Sequence, residues 1–153
     1  MIRNQWYAVL ETTEVKKNRL LGVTRLGEKM VVWRDKNGKV VCMSDLCPHI
    51  GASLCQGKLS ENRVVCPFHG FEYDTSGQCK YVPALGKNGS VPKSLKVRSY
   101  PTHEMHGIIW IWWGEGEPSP AEPKWFDIDD SFSSGGFRQH RGVHYSRMVE
   151  NQL

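Results

Sequence analysis

The 153-residue chain has no hydrophobic segment long enough to cross a membrane. Its longest strongly apolar run covers only residues 108–113, whereas a membrane-spanning helix needs roughly 20 apolar residues. The first residues also lack the apolar stretch and small-residue cleavage site of a secretory leader. We therefore expect a cytoplasmic protein without a membrane span.

Blocks of like charge are absent as well. The chain has 20 Lys and Arg against 16 Asp and Glu, a net charge of +4, and the basic residues are scattered along its length. A protein that binds nucleic acid usually concentrates its basic residues in a patch, an arm or a stripe. We expect no nucleic-acid partner.

No long segment repeats its apolar residues at helical spacing. Short β-branched segments separated by turn residues recur instead, and the clearest pair, residues 30–34 and 39–43, flanks an Asn-Gly turn signal at Asn37 and Gly38. The pattern predicts an all-β fold, an antiparallel β-sandwich or partly open barrel. The predicted strands are residues 5–10, 20–26, 30–34, 39–43, 63–66, 71–73, 79–82, 96–100 and 107–112.

The composition changes after residue 113. Residues 114–120 are rich in Gly, Glu, Pro and Ser, which is typical of a linker rather than of a strand or helix. We therefore predict one domain over residues 1–114, a linker over residues 115–136 and a separate segment over residues 137–153.

Five cysteines form an odd set, and disulfides are not the usual role of cysteine in a reducing compartment. Cys42, Cys55 and Cys79 have no histidine nearby in the sequence, and Cys42 fits a buried apolar position. Cys47 and Cys66 differ because each is followed closely by a histidine.

Two short sequences combine a thiol with an imidazole. Residues 47–49 read Cys-Pro-His, and residues 66–69 read Cys-Pro-Phe-His. Each follows a predicted strand, so two loops could clamp a compact metal centre from both sides. The candidate ligands are Cys47, His49, Cys66 and His69.

Two other types of site use the same residue types. A zinc site with two Cys and two His is chemically possible, although zinc fingers usually pair like ligands as Cys-x-x-Cys and His-x-x-x-His. A Cys–His nucleophilic dyad would need an orienting third residue and an oxyanion loop, and neither is evident. The zinc site remains an open alternative.

The two sequences resemble the Rieske motif, Cys-x-His followed by Cys-x-x-His. The resemblance implies a 2Fe–2S cluster with Cys47 and Cys66 on an inner iron, and His49 and His69 on an outer, more solvent-near iron. Two neutral imidazoles in place of two thiolates raise the reduction potential above that of all-cysteine clusters.

The resemblance extends over roughly residues 4–114. It implies a Rieske fold in which a small cluster-binding lobe, about residues 44–83, is inserted into the β-sandwich or barrel. Gly51 and Gly70 follow the two histidines, and we expect them to let backbone N–H groups point at the sulfurs.

Four positions depart from related patterns. Ala52 and Phe68 stand where high-potential Rieske proteins have a disulfide, and Phe71 stands where they have a serine bound to a sulfide. Fewer hydrogen bonds to the cluster favour a low potential within the Rieske range of roughly −150 to +300 mV. Ile50 replaces an arginine that many Rieske oxygenases have after the first histidine.

Two classes of Rieske protein have a low potential, namely the N-terminal domains of Rieske oxygenases and stand-alone Rieske ferredoxins. The end of the chain favours the first class. Residues 151–153, Asn-Gln-Leu, resemble the lead-in to the Asn-x-x-Asp-x-x-His run of Rieske non-haem iron oxygenases. The chain is then the N-terminal part of such an oxygenase, not catalytic by itself, and passes single electrons to a mononuclear non-haem iron in a catalytic domain that it lacks. A stand-alone Rieske-type ferredoxin, which only carries electrons, is the alternative.

The oxygenase resemblance also implies partners. These are an electron-donating reductase or ferredoxin, and the catalytic domain of the same or a neighbouring subunit. The resemblance also implies that the full-length protein forms a homo-oligomer, a trimer. Nothing in the chain indicates the substrate.

Overall fold

The computed structural model describes residues 2–118, together with residues 123, 131, 133, 135, 142–144 and 146–147. Residues 1–123 form one compact unit, and Lys124–Leu153 form a second. Within the described part of the chain, no helix has both the length and the apolar character needed to cross a membrane. Most of the linker predicted at residues 115–136 and of the segment predicted at 137–153, including residues 151–153, lies outside the described residues. The predicted domain boundaries therefore stay predictions.

Eleven strands in residues 2–118 form three antiparallel sheets, so the predicted all-β antiparallel fold is confirmed. The outer sheet has the order β1-β11-β10, the middle sheet β2-β3-β4-β9 and the lobe sheet β5-β6-β7-β8. The strands are β1 (Gln5–Glu11), β2 (Leu21–Arg25), β3 (Glu28–Arg34), β4 (Val40–Ser44), β5 (Lys58–Ser60), β6 (Arg63–Val65), β7 (Glu72–Tyr73), β8 (Cys79–Tyr81), β9 (Ser99–Tyr100), β10 (Thr102–Met105) and β11 (Ile108–Trp113).

The hairpin predicted from Asn37 and Gly38 is confirmed. β3 pairs with β4, and the Asp35 carboxylate accepts hydrogen bonds from the Asn37 and Lys39 N–H groups inside the turn. Gly38 has a φ of 84°, a left-handed value that glycine adopts without a steric penalty.

The sequence analysis missed β5 and β10. Both strands are short and polar, and each joins its partner through a two-residue turn with positive φ, at Glu61–Asn62 and at His106–Gly107. Neither turn has the Asn-Gly pattern that marks a hairpin most clearly. A 3-10 turn at Thr12–Glu14 follows β1.

The middle sheet is buried on both faces. On β3, Met30 and Val32 face one hydrophobic core, whereas Val31 and Trp33 face another. The first core joins the middle sheet to Val9, Leu10, Ile109 and Ile111 of the outer sheet. The second core joins the middle sheet to the segment that holds the lobe sheet, through Leu54, Val64, Tyr73, Cys47 and Cys66. Because successive residues of a strand point to opposite faces, a run of consecutive apolar residues serves both cores.

Arg34, at the end of β3, binds three backbone carbonyl groups and one carboxylate. Its Nε donates to the Val15 carbonyl at 2.8 Å, and its two Nη atoms donate to the Gly38 and Thr12 carbonyls at 2.8 and 3.0 Å. The same guanidinium makes a two-pronged contact with Glu104, at 2.7 and 3.0 Å. The hydrogen bond from Arg34 lowers the pKa of Glu104, against the opposing effect of burial.

We expect Arg34→Met to lower the free energy of unfolding by about 2–4 kcal/mol, because three carbonyls and a carboxylate lose their donor. Urea denaturation of the wild type and the variant measures the difference. Arg3→Met is the matched control, since the ion pair between Arg3 and Glu115 is largely exposed and should contribute no more than about 0.5 kcal/mol. Equal effects of the two substitutions would contradict this role of Arg34.

The contribution of the pair should also depend on pH. A carboxyl with a lowered folded-state pKa stabilises the fold above its unfolded pKa, about 4.3 for Glu, and loses that contribution as the pH falls through the folded-state value. The difference between wild type and Arg34→Met should therefore shrink below about pH 4. It should not vanish, because the bonds to the three carbonyls persist.

Candidate metal centre

Two loops with matching backbone geometry bring the candidate ligands together. In the first, Cys47 N–H donates to the Ala52 carbonyl at 2.9 Å and Gly51 N–H donates to the Cys47 carbonyl at 2.8 Å. Each loop is thus closed by a cysteine bonded to the residue five positions later and by a glycine four positions after the cysteine. The corresponding distances in the second loop, Cys66–Phe71 and Gly70–Cys66, are 2.8 and 3.1 Å.

Gly51 and Gly70 make the tight turns of the two loops possible. Their φ values of 76° and 70° are left-handed, so Gly51 and Gly70 are needed for the turn itself. Their own N–H groups donate to cysteine carbonyl oxygens, whereas the backbone N–H of His49 donates to the Cys47 sulfur, as expected for a backbone N–H group of this loop. The loops turn tightly because these bonds close them.

The two loop cysteines lie together inside the protein. Cys47 and Cys66 are 2% and 3% exposed and close enough for their thiols to interact. Tyr73 of β7 is fully buried, and its hydroxyl lies 3.1 Å from Cys47 Sγ. The sequence analysis gave Tyr73 no role at the site, because the contact depends on the way β7 folds back beneath the first loop.

Burial controls the acid–base properties of this interior group. It raises the pKa of the Cys47 thiol, an effect that the hydrogen bond with Tyr73 partly offsets. Burial, together with the Cys47 contact, raises the pKa of the Tyr73 hydroxyl far above its ordinary value. Tyr73 therefore keeps its proton and is the donor whenever Cys47 is a thiolate.

The two loop histidines lie together at the surface. Both are exposed, and their ring centroids are 4.6 Å apart with an angle of 59° between the planes. Phe71, buried in the second loop, stacks on His49 of the first loop at 4.8 Å and 9°. Phe68, which is 63% exposed, meets His69 edge-on at 4.3 Å. Each imidazole is therefore supported by an aromatic ring, and the stack on His49 links the two loops.

Three segments next to the histidines contain no charged side chain. Residues 46–57, 66–71 and 82–86 contain no Lys, Arg, Asp or Glu. The third segment belongs to the same surface because Pro83 packs against Gly70 of the second loop. Four large apolar side chains on these segments are about half exposed or more, and we call them the apolar rim: Leu46, Ile50, Phe68 and Leu85.

The arrangement suits a centre with two metal ions. Two thiols share the interior and two imidazoles share the surface, so each pair can serve one ion. In the part of the chain that the structure describes, no three His, Cys, Asp or Glu side chains converge as a single ion requires. A four-ligand zinc site, which would bring all four donors to one ion, does not match this division.

The other three cysteines are not among the four candidate ligands. Cys42 lies in the first core, where burial raises its pKa to about 12. Cys79 is buried in the second core, and its Sγ donates to the Tyr81 carbonyl at 3.4 Å. Cys55 is half-buried next to Ser53.

Comparison with known proteins gives a consistent result. Residues 5–101 match the family model of the Rieske [2Fe-2S] domain. The chain is 35% identical to the oxygenase component of dicamba O-demethylase from Stenotrophomonas maltophilia, over 99% of this chain and 45% of the relative. It is 34% identical to chloroplastic chlorophyllide a oxygenase from Arabidopsis thaliana, over 80% of this chain and 22% of the relative.

A solved structure agrees with these matches. Apo dicamba monooxygenase superimposes with a TM-score of 0.69 at 40% identity, over 79% of this chain and 36% of that protein. The chain thus spans less than half the length of these relatives.

Proposed function

Because the chain belongs to the Rieske 2Fe–2S domain family, we propose that it passes single electrons from a reductase or ferredoxin to the mononuclear iron of a Rieske oxygenase. The cofactor of the family is a 2Fe–2S cluster, and the oxygenase relatives include a dicamba monooxygenase solved with non-haem iron. The observation that supports the proposal most directly is the division of the site into two buried thiols and two exposed imidazoles.

We assign the cluster ligands by burial. Cys47 and Cys66 hold one iron in the interior, and His49 and His69 hold the other at the surface. When bound, such a cluster takes up and releases one electron at a time. The imidazoles bring the centre to the surface, where a partner can approach, while the second core keeps water away from the thiolates.

The purified protein should contain close to two iron and two sulfide per chain. Cys47→Ser and His69→Ala should abolish the cluster, because each removes one of the four ligands. Iron and sulfide analysis with the visible absorption spectrum provides the measurement.

Cys55→Ser and Cys79→Ser are the matched controls, since both remove a thiol close to the site without removing a ligand. A colourless protein that binds zinc without sulfide would contradict the assignment. So would a cluster that survives Cys47→Ser.

The potential should lie in the lower part of the Rieske range. Phe71 cannot donate a hydrogen bond to a sulfide as a serine can, and Ala52 and Phe68 cannot form a disulfide. Hydrogen bonds to the sulfurs stabilise the reduced state and raise the potential. The Tyr73 hydroxyl, 3.1 Å from Cys47 Sγ, is then a side-chain contact of this kind that the chain keeps.

We expect Tyr73→Phe to lower the reduction potential and to leave the cluster content unchanged, because the phenyl ring fills the same space without donating to Cys47. Redox titration of both proteins measures the shift. Tyr81→Phe on the adjacent strand β8 is the control and should leave the potential unaltered. An unchanged potential in Tyr73→Phe would mean that this hydroxyl does not act on the cluster.

The apolar rim supports the catalytic domain as the partner of the exposed histidines. Encounters with mobile carriers are steered by complementary charges, whereas lasting interfaces have apolar cores depleted of charged residues. The three segments around His49 and His69 are uncharged and expose four large apolar side chains. In a homo-oligomer, such as the trimer expected from the resemblance, that catalytic domain belongs to the same or a neighbouring subunit.

We expect Ile50→Lys and Leu85→Lys to slow electron transfer to the catalytic iron in the longer protein by roughly tenfold or more, since each places a charge in the contact. Single-turnover kinetics of the pre-reduced protein measures the rate. Ile2→Lys is the control, because Ile2 is 69% exposed and lies outside the three uncharged segments. Equal rates in all three variants would argue against docking at the rim.

A stand-alone ferredoxin is the second candidate. All the strands that the structure describes lie within residues 5–113, and so do the four candidate ligands. The size of the product in cells separates the two possibilities. A product of 17.5 kDa favours the carrier, and one close to the length of the relatives favours the oxygenase.

A further inference from the structure

Asp45 is the buried charged residue of the domain. Within residues 2–118 it is the only buried residue with a charged side chain, and it is 5% exposed. It stands between the end of β4 and the first loop, two positions before Cys47. Burying a carboxylate is costly unless it is hydrogen-bonded, so its contacts indicate what it does.

All the polar atoms of Asp45 are used at the base of the first loop. One carboxylate oxygen accepts the Ser53 hydroxyl at 2.5 Å, and the other accepts the Cys55 N–H at 2.6 Å. The Asp45 carbonyl accepts the Leu54 N–H at 2.9 Å, and its own N–H donates to Lys29 in β3 at 2.9 Å. Asp45 thus joins the beginning of the loop to its end and fastens both to the middle sheet.

The first loop depends on the hydrogen bonds of Asp45 across its base more than the second loop would, because the second loop has a pair of strands at its base. The second loop connects β6 to β7, which pair directly through Val64 with Tyr73 and Val65 with Glu72, so a strand ladder closes it. The first loop connects β4 of the middle sheet to β5 of the lobe sheet, and these strands are in different sheets. A single bridge, Leu46 with Ser53, is the only strand-like pairing across its base.

We propose that Asp45 is a positioning residue for the cluster. It replaces the missing strand ladder and holds the segment with Cys47 and His49 in its binding conformation before the cluster arrives. A loop ordered in advance loses less conformational freedom on binding. The inference rests on the proposed ligand role of these two residues.

The test is the rate at which the purified holoprotein loses its cluster to an iron chelator, at a temperature where the fold is intact. Asp45→Ala should accelerate the loss roughly 10- to 100-fold, the usual effect of removing a residue that orients a metal ligand. Ser53→Ala removes one of the two side-chain bonds and should have a smaller effect in the same direction. This milder variant keeps the proposal testable if Asp45→Ala fails to fold.

Asp45→Asn should restore nearly the wild-type rate. Its amide oxygen can accept the Cys55 N–H, and its amide nitrogen can donate to the Ser53 hydroxyl oxygen. A second measurement is the width of the electron resonance lines of the reduced cluster. It should increase in Asp45→Ala, because the ligands then adopt a spread of conformations, and be restored in Asp45→Asn.

Arg34→Met separates positioning from general stability, because it weakens the fold at a place remote from both ligand loops. It should leave the rate of cluster loss and the line width unchanged. Cluster loss from Asp45→Ala at the wild-type rate would overturn the proposal, as would equal acceleration in Arg34→Met. Asp45→Asn behaving like Asp45→Ala would overturn the role of these hydrogen bonds. A wild-type protein without a cluster, or a cluster that survives Cys47→Ser, would instead refute the proposed function.

Discussion

Burial of the middle sheet on both faces is the constraint on which the rest of the structure depends. β3 and β4 send alternate side chains into two cores, and the second of these cores contains the loop cysteines. The middle sheet therefore lies at the centre of the fold, and one of its faces packs against the residues that contain the candidate cysteine ligands. Replacing Val31 or Met43 by a smaller residue would therefore disturb the packing around Cys47 and Cys66, although neither residue is a candidate ligand.

The site has a buried part with the two cysteines and a solvent-exposed part with the two histidines, both within two short loops. Cys47, Cys66 and Tyr73 lie in the second core, where the low-dielectric surroundings strengthen a hydrogen bond to sulfur. His49 and His69 lie at the surface and are steadied by Phe71 and Phe68. This division follows from the matching closure of the loops, which turns each cysteine inward and presents each histidine outward.

The sequence predicted the features that local chemistry determines. The Asn37–Gly38 hairpin and the all-β class could be predicted, and so could the two loops that carry the candidate ligands, because each depends on residues adjacent in the chain. Strands β5 and β10 were missed, since short polar strands form only when a neighbouring strand supplies their partner. The contacts of Asp45 with Ser53 and Cys55, of Tyr73 with Cys47, and of Phe71 with His49 could not be predicted, because they arise only when separate elements fold against one another.

The central claim is that His49 and His69 both bind iron, opposite the two buried thiolates. Pulsed electron resonance of the reduced protein, labelled with ¹⁵N only in histidine, tests it most directly. The account predicts strong couplings from two different histidine nitrogens in the wild-type protein. If His49→Cys or His69→Cys still forms a cluster, its spectrum should contain the coupling of only one histidine nitrogen. A spectrum with no histidine coupling, as an all-cysteine cluster would give, would contradict it.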